Sequence, residues 1–161
     1  DIAAQVKPED LVKVGDFEVA VLWDSSAMYV VSSRPSAGGE VTAVVDGKNA
    51  KSAYLAYADR FITYKPTGDS VTTVRFIRDF RNDSIVYTPK QWRSEATSGV
   101  SGNYFVVRMP WYDMGMVPPF AGRQIGFSLF AASADGKTTT ALPAAAKREL
   151  PGSWGNLKFV M

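Results

Sequence analysis

Apolar and polar residues alternate along much of this chain with a period of two. Phe17, Val19, Val21 and Trp23 alternate with Glu18, Ala20 and Leu22, which sends successive side chains to opposite faces of a strand. Asp24-Ser25-Ser26 interrupts the pattern, and short polar side chains of this kind bond their own backbone in turns. Residues 28–31 then read as the return strand of a hairpin. A further strand over 41–45 ends at Asp46-Gly47, a dipeptide that predicts a hairpin turn because glycine accepts a positive φ. Residues 50–57 fit helix or strand equally. Residues 60–64 alternate again, and Pro66-Thr67-Gly68-Asp69 punctuates. A longer strand over 70–80 follows, with an imperfect period that predicts a bulge or burial on both faces.

Asn82-Asp83 predicts another turn and 84–88 a short strand. The stretch 88–102 is the most loop-like, being polar and glycine-bearing. Residues 103–109 form a strand that proline at 110 should stop, since proline brings no backbone donor to a ladder. One helical or 3₁₀ turn is expected over 111–115. Gln124–Ala132 is nearly all apolar and is expected to be deeply buried. Residues 137–142 read as an edge strand or loop. The closing segment 154–160 is expected to take a place in a sheet, and a central one is open to it because sandwiches bring chain ends back into a sheet. Short strands with turns every 8–12 residues or so describe an all-β fold. The expected architecture is a two-sheet antiparallel β-sandwich, jelly-roll-like or immunoglobulin-like, with one or two short helical turns.

At 161 residues the chain is read as a single domain over 1–161, and as one module of a larger protein. A chain of this size buries roughly 68–70% of its unfolded surface, enough for a core without covalent staples. A start at Asp1 is what a mature or excised segment would show. Cysteine and histidine are both absent. Disulfides, thiolate nucleophiles, catalytic imidazoles and Cys/His zinc sites are therefore excluded. The 18 basic and 16 acidic residues are well mixed, and no basic run exceeds Lys147-Arg148. Arg78 falls on the opposite strand face from Arg75 and Arg81. The electrostatic footprint of a nucleic-acid surface is thus missing, and no apolar stretch is long enough to span a membrane as a helix.

Four segments carry a family resemblance: Ala20-Val21-Leu22-Trp23-Asp24 through Met28-Tyr29-Val30; Tyr104 to Pro110-Trp111 with Met114-Gly115; Gly122-Arg123-Gln124-Ile125-Gly126-Phe127; and Ser153-Trp154-Gly155-Asn156-Leu157 to Phe159. In this order they resemble the family 9 carbohydrate-binding modules, and the chain is also similar to the haem-binding sandwich domains of the DOMON group. One departure is Arg108, where family members often carry an acidic residue before Pro-Trp. The resemblance implies a β-sandwich appended to extracellular polysaccharide-degrading enzymes, with ligand held by loop tryptophans at the sandwich edge and often with structural calcium.

Trp23, Asp24, Trp111 and Trp154 are read as architectural: packing tryptophans and a turn-capping carboxylate. Trp92 differs, because it stands in a polar stretch without apolar periodicity. An indole plane suits the C–H face of a sugar, and Gln91, Arg93 and Glu95 supply donors and acceptors for hydroxyls. The alternative is that Trp92 plugs its loop against the sheet. Tyr54 and Tyr57 share a face only on a helix, and suit either a polar ligand or an ordinary sheet face; Tyr64 completes this aromatic group. Oxygen ligands for calcium are available at Asp79, Asn82 and Asp83, with Asp16 and Asp24 flanking the first strand; turn formation explains all of these without an ion. Without His or Cys, haem ligation would need Met, Lys or Tyr; the haem-binding relatives can pair methionine with lysine, a pair that the resemblance would draw from Met28, Met109, Met114 or Met116 and from Lys137 or Lys158. Carboxylate pairs among Asp59, Asp69, Asp79 and Glu95 show no spacing that demands catalysis.

The sequence therefore points to a non-catalytic domain that binds polysaccharide or oligosaccharide through loop-edge aromatic residues, in an extracellular or periplasmic setting. Two other functions stand beside it: a structural or protein-interaction module of an extracellular assembly, with neighbouring domains as partners, and a haem-binding electron-transfer domain.

Overall fold

The computed structural model describes residues 1–56, 58–68, 71–81, 84–91 and 95–160, with backbone alone over 76–81 and 84–91. Strands β1 (Val12–Val14), β2 (Phe17–Trp23), β3 (Ala27–Ser33), β8 (Thr97–Ser101) and β9 (Tyr104–Pro110) form a five-stranded sheet in the order β1-β2-β3-β9-β8. The facing sheet has seven strands. β4 (Glu40–Asp46), β5 (Asp59–Tyr64), β6 (Val71–Arg81), β7 (Ser84–Gln91), β10 (Gln124–Ala132) and β11 (Thr139–Leu142) run in the order β11-β10-β4-β5-β6-β7, and β12 (Gly155–Lys158) joins at β10. Neighbouring strands pair antiparallel throughout. The all-β sandwich expected from the alternating pattern is the architecture found.

The period-two pattern places the core. Val19 and Val21 of β2, Met28 and Val30 of β3, and Phe105, Val107 and Met109 of β9 point inward. They meet Val41, Ala43 and Val45 of β4, Ile62 of β5 and Ile125, Phe127 and Leu129 of β10. One polar contact sits inside: Ser32 Oγ and Tyr64 Oη lie 2.5 Å apart, while Tyr64 stacks on Phe105 at 5.6 Å. Burial pushes the Tyr64 phenol up. β10 is buried from Ile125 through Ala131, because its outer face is covered as well. There Val44, Leu55, Phe61, Phe130, Ala146 and Trp154 form a second cluster. Residues 47–56 and 143–154 fold across this face, which explains the loss of alternation in β10.

Several expectations are corrected. Asp46-Gly47 does not make a tight hairpin; the chain takes a long excursion to Asp59. The Asp46 carboxylate instead accepts Lys48 N at 3.0 Å and Ala50 N at 2.8 Å, so the dipeptide opens a capped loop. The 88–102 stretch is not mainly loop: β7 runs to Gln91 and β8 spans Thr97–Ser101. β8 is exposed along nearly all its length, so it carries no hydrophobic alternation to read. β6 pairs in unbroken register with β5 and β7, so of the two alternatives, a bulge or burial on both faces, the bulge is not found. β9 includes Pro110, opposite Ala27, as its last residue; a terminal position forfeits little of the ladder. The closing strand β12 is not central, since it pairs with β10 alone. Four 3₁₀ turns occur among the described residues. The turn expected at Asn82-Asp83 lies outside them.

Candidate functional site

Strand register brings one set of connections to a single end of the sandwich. β2 ends at Trp23 opposite Met28, β9 ends at Pro110 opposite Ala27, and β4 ends at Asp46 opposite Asp59. Connections 24–26, 47–58 and 111–123 leave from this end, as does the chain after Lys158. Side chains sew them together across the two sheets. Trp111 Nε1 donates to Asp24 O at 2.8 Å, and Trp23 Nε1 donates to Val160 O at 3.0 Å. Phe159 stands edge-on to both indoles, at 5.2 Å from Trp23 and 5.4 Å from Trp111. Arg60 Nε reaches Asp113 O at 3.4 Å, and Arg123 Nη2 reaches Gly47 O at 3.1 Å.

Asp24 organises the first of these turns. Its Oδ1 accepts Ser26 N at 2.7 Å, Ser26 Oγ at 2.6 Å and Ala27 N at 3.0 Å, and its Oδ2 accepts Tyr29 Oη at 2.8 Å. Burial pushes the carboxyl up, but the bonds from Ser26, Tyr29 and Ala27 outweigh it and hold the pKa at about 2. Arg108 Nη2 extends the network to Ser26 Oγ at 3.4 Å. The position that departs from the family pattern is therefore joined to the Asp24 turn.

Beyond Pro110 the chain makes a 3₁₀ turn over Trp111–Met114, closed by Gly115 at φ 66°. Trp111 and Met114 are buried, which sends Tyr112 outward with 63% of its surface exposed. The Tyr112 hydroxyl donates to the Glu95 carboxylate, and that bond raises the phenol above its usual range. Glu95 N in turn donates to Asp113 Oδ2 at 2.7 Å. Glu95 is thus pinned against the turn that carries Tyr112. Val117 and Phe120, each 71% exposed, and Val160, 66% exposed, add apolar surface to the same end. Sequence reasoning missed Tyr112 and Phe120. The signals were present: Tyr112 neighbours a tryptophan that must turn inward, and Phe120 follows Pro118-Pro119, where no strand pattern can bury it.

Of the residues singled out in the sequence, Tyr54 is 52% exposed on the 47–58 connection. Its neighbour Leu55 packs into the outer cluster, so this connection lies over the seven-stranded sheet. No hydrogen bond or ring contact joins Tyr54 to Tyr112 among the described residues. Tyr57, Trp92 and Arg93 lie outside the described residues, and of Gln91 only the backbone, at the end of β7, is described. Asn82 and Asp83 are also outside them, and Asp79 is described as backbone within β6. Among the described residues no group of three acidic side chains converges. Met28, Met109, Met114 and Met116 are buried in the core, whereas Lys137 and Lys158 are exposed. Trp111 and Trp154 are packing residues as expected; Trp154 is buried and donates to Lys147 O at 2.9 Å. Trp23 is half-buried.

No family model and no curated protein matches this chain. Solved structures do match it. A family 9 carbohydrate-binding module from Caldicellulosiruptor kristjanssonii, in complex with cellotriose, is similar over 99% of this chain and 85% of that one, at 14% identity and a TM-score of 0.54. A structure of such a module from the same organism in complex with glucose gives 14% identity and a TM-score of 0.55, over 98% and 86% of the two chains. The likeness runs nearly end to end and is one of fold.

Proposed function

We propose that the chain is a non-catalytic module that binds a saccharide at the loop-bearing end of the sandwich. The observation that carries this reading is the Tyr112 ring, held outward by its hydroxyl bond to Glu95 and bordered by carboxylates and an arginine. A ring fixed in this way offers a flat apolar plane to a sugar's C–H face. Glu95 and Asp113 accept from sugar hydroxyls, and Arg108 donates to them. Immobilising the ring in advance lowers the ordering cost of binding. The full-length resemblance in fold to modules solved with cellotriose and glucose supports the substrate class. In this proposal Trp92 supplies a second platform, with Gln91 and Arg93 beside it. Tyr54 and Tyr57 extend the surface along the 47–58 connection.

The absence of histidine and cysteine, with no nucleophile–base arrangement in the sequence, supports binding without turnover. A glycan array followed by affinity electrophoresis of wild type, Y112A and W92A tests the reading. Retention by at least one polysaccharide is expected. It should weaken about tenfold in each variant, as for aromatic anchors at an interface, with thermal stability unchanged. Retention by no glycan would sink the proposal. It would favour the protein-interaction reading, to which the exposed Val117 and Phe120 give independent support.

A further inference from the structure

A cleft of about 300 Å³ opens between the two sheets, on the side where β1 and β2 face β10, β11 and β12. It exists because no single strand covers the outer edge of β10. β12 pairs with residues 124–127 and β11 with 129–132, so the edge is broken at Ser128. On the facing sheet, β1 is only three residues long. Val21 and Leu157, both half-buried, form the walls, over a floor of the packed core residues Val19, Phe127 and Leu129. Val12 and Leu142 form the lips and are left 44% and 37% exposed.

The polar groups at the cleft are few. Asp10 lies at its margin with one carboxylate oxygen, Oδ2, held by Lys7 N at 2.9 Å. Its other oxygen has no hydrogen bond among the described residues. Asn156 also lines the cleft, and its Oδ1 accepts Asn49 Nδ2 at 3.2 Å. The lining contains no lysine or arginine. An apolar chamber with one carboxylate and no cation complements an occupant that is apolar over most of its surface and positively charged at one end. At about 30 Å³ per water-sized group, the volume holds a molecule of roughly ten heavy atoms, at the small end of ligand pockets.

We propose that this cleft is a binding site for a small hydrocarbon amine, separate from the saccharide surface and independent of it. The hydrocarbon lies against Val12, Val21, Leu142 and Leu157, above the core floor of Val19, Phe127 and Leu129, and the ammonium group meets Asp10. Phenethylamine is a suitable probe, with 2-phenylethanol as its neutral counterpart and phenylacetate as its anionic one. Each would be titrated into methyl-labelled protein and followed by two-dimensional NMR. The expected result is saturable shifts at the methyls of Val12, Val21, Leu142 and Leu157. The amine should bind about fivefold more tightly than the alcohol, the scale of a partly exposed ion pair, and phenylacetate more weakly than either. D10N should bring amine and alcohol to the same affinity without shifting Tm. V21F, which fills the chamber, should abolish the shifts. Non-saturable shifts, shifts confined to the loop-bearing end, equal affinity of amine and alcohol for the wild type, or unchanged discrimination in D10N would each overturn the proposal.

Discussion

Asp24 and Lys51 show how single side chains hold this end of the molecule. The Asp24 carboxylate gathers four hydrogen bonds from Ser26, Ala27 and Tyr29, and Trp111 bonds its carbonyl. Truncation in D24A should cost about 1 kcal/mol, the scale of a lost capping side chain, discounted because the residue is exposed. The folded pKa of about 2 lies below the ordinary 3.8. The contribution is therefore full above the unfolded pKa and is lost as pH falls from about 4 towards 2. Urea unfolding of wild type and D24N should show a stability gap at pH 7 that narrows across that window; a gap that widened on acidification would be wrong for this geometry. Lys51 acts differently. Its Nζ donates to Trp154 O at 2.6 Å and Gly155 O at 3.1 Å, from a backbone held at φ 51°. K51M should lose about 1.5–3 kcal/mol, as for hydrogen bonds made by a charged group. Hydrogen exchange should quicken first at Gly152, whose N–H bonds Ser52 O. Unchanged exchange there would show that Lys51 does not dock the loop.

The strands with a buried face were readable, and those without one were not. β2 was bounded correctly from its alternation, and β10 from its apolar run. β8 was invisible because it is an edge strand exposed on both sides, so Thr97 to Ser101 need not alternate. The Asp46-Gly47 signal was real as turn chemistry but misled about length, because the carboxylate caps a loop rather than a two-residue turn. Connections at the opposite end depend on glycine. Gly39 sits at φ 115°, and a Cβ there would lie 2.7 Å from Ala132 O and 3.0 Å from the Phe17 ring. G39A therefore combines an unfavourable dihedral with a clash against backbone. A loss of about 2–3 kcal/mol is expected in chemical denaturation, and a loss below about 0.5 kcal/mol would mean that the β3–β4 connection relaxes freely.

At the scale of the whole molecule, the sandwich follows from repeated strand patterns and from a core assembled from both sheets. The site was only partly legible. Trp92 stood out because it lacked periodicity, and Glu95 was named beside it for its polarity. Tyr112, which bonds Glu95, is not legible in the sequence because its exposure depends on Trp111 turning inward, which is a tertiary fact. The carboxylates confirm how little spacing says alone: Asp59 is buried and bonded to Ala56 N at 2.7 Å, while Glu95 serves Tyr112. We propose that a saccharide is held at the end where Tyr112, Glu95 and Arg108 meet. The most direct measurement is a titration of ¹⁵N-labelled protein with cellotriose, read residue by residue. Saturable shifts are expected to cluster at Glu95, Arg108, Tyr112, Asp113 and Phe120, with strands β10 and β4 unmoved. Saturable shifts centred elsewhere, or none with cellotriose and with any glycan retained on the array, would contradict the proposal.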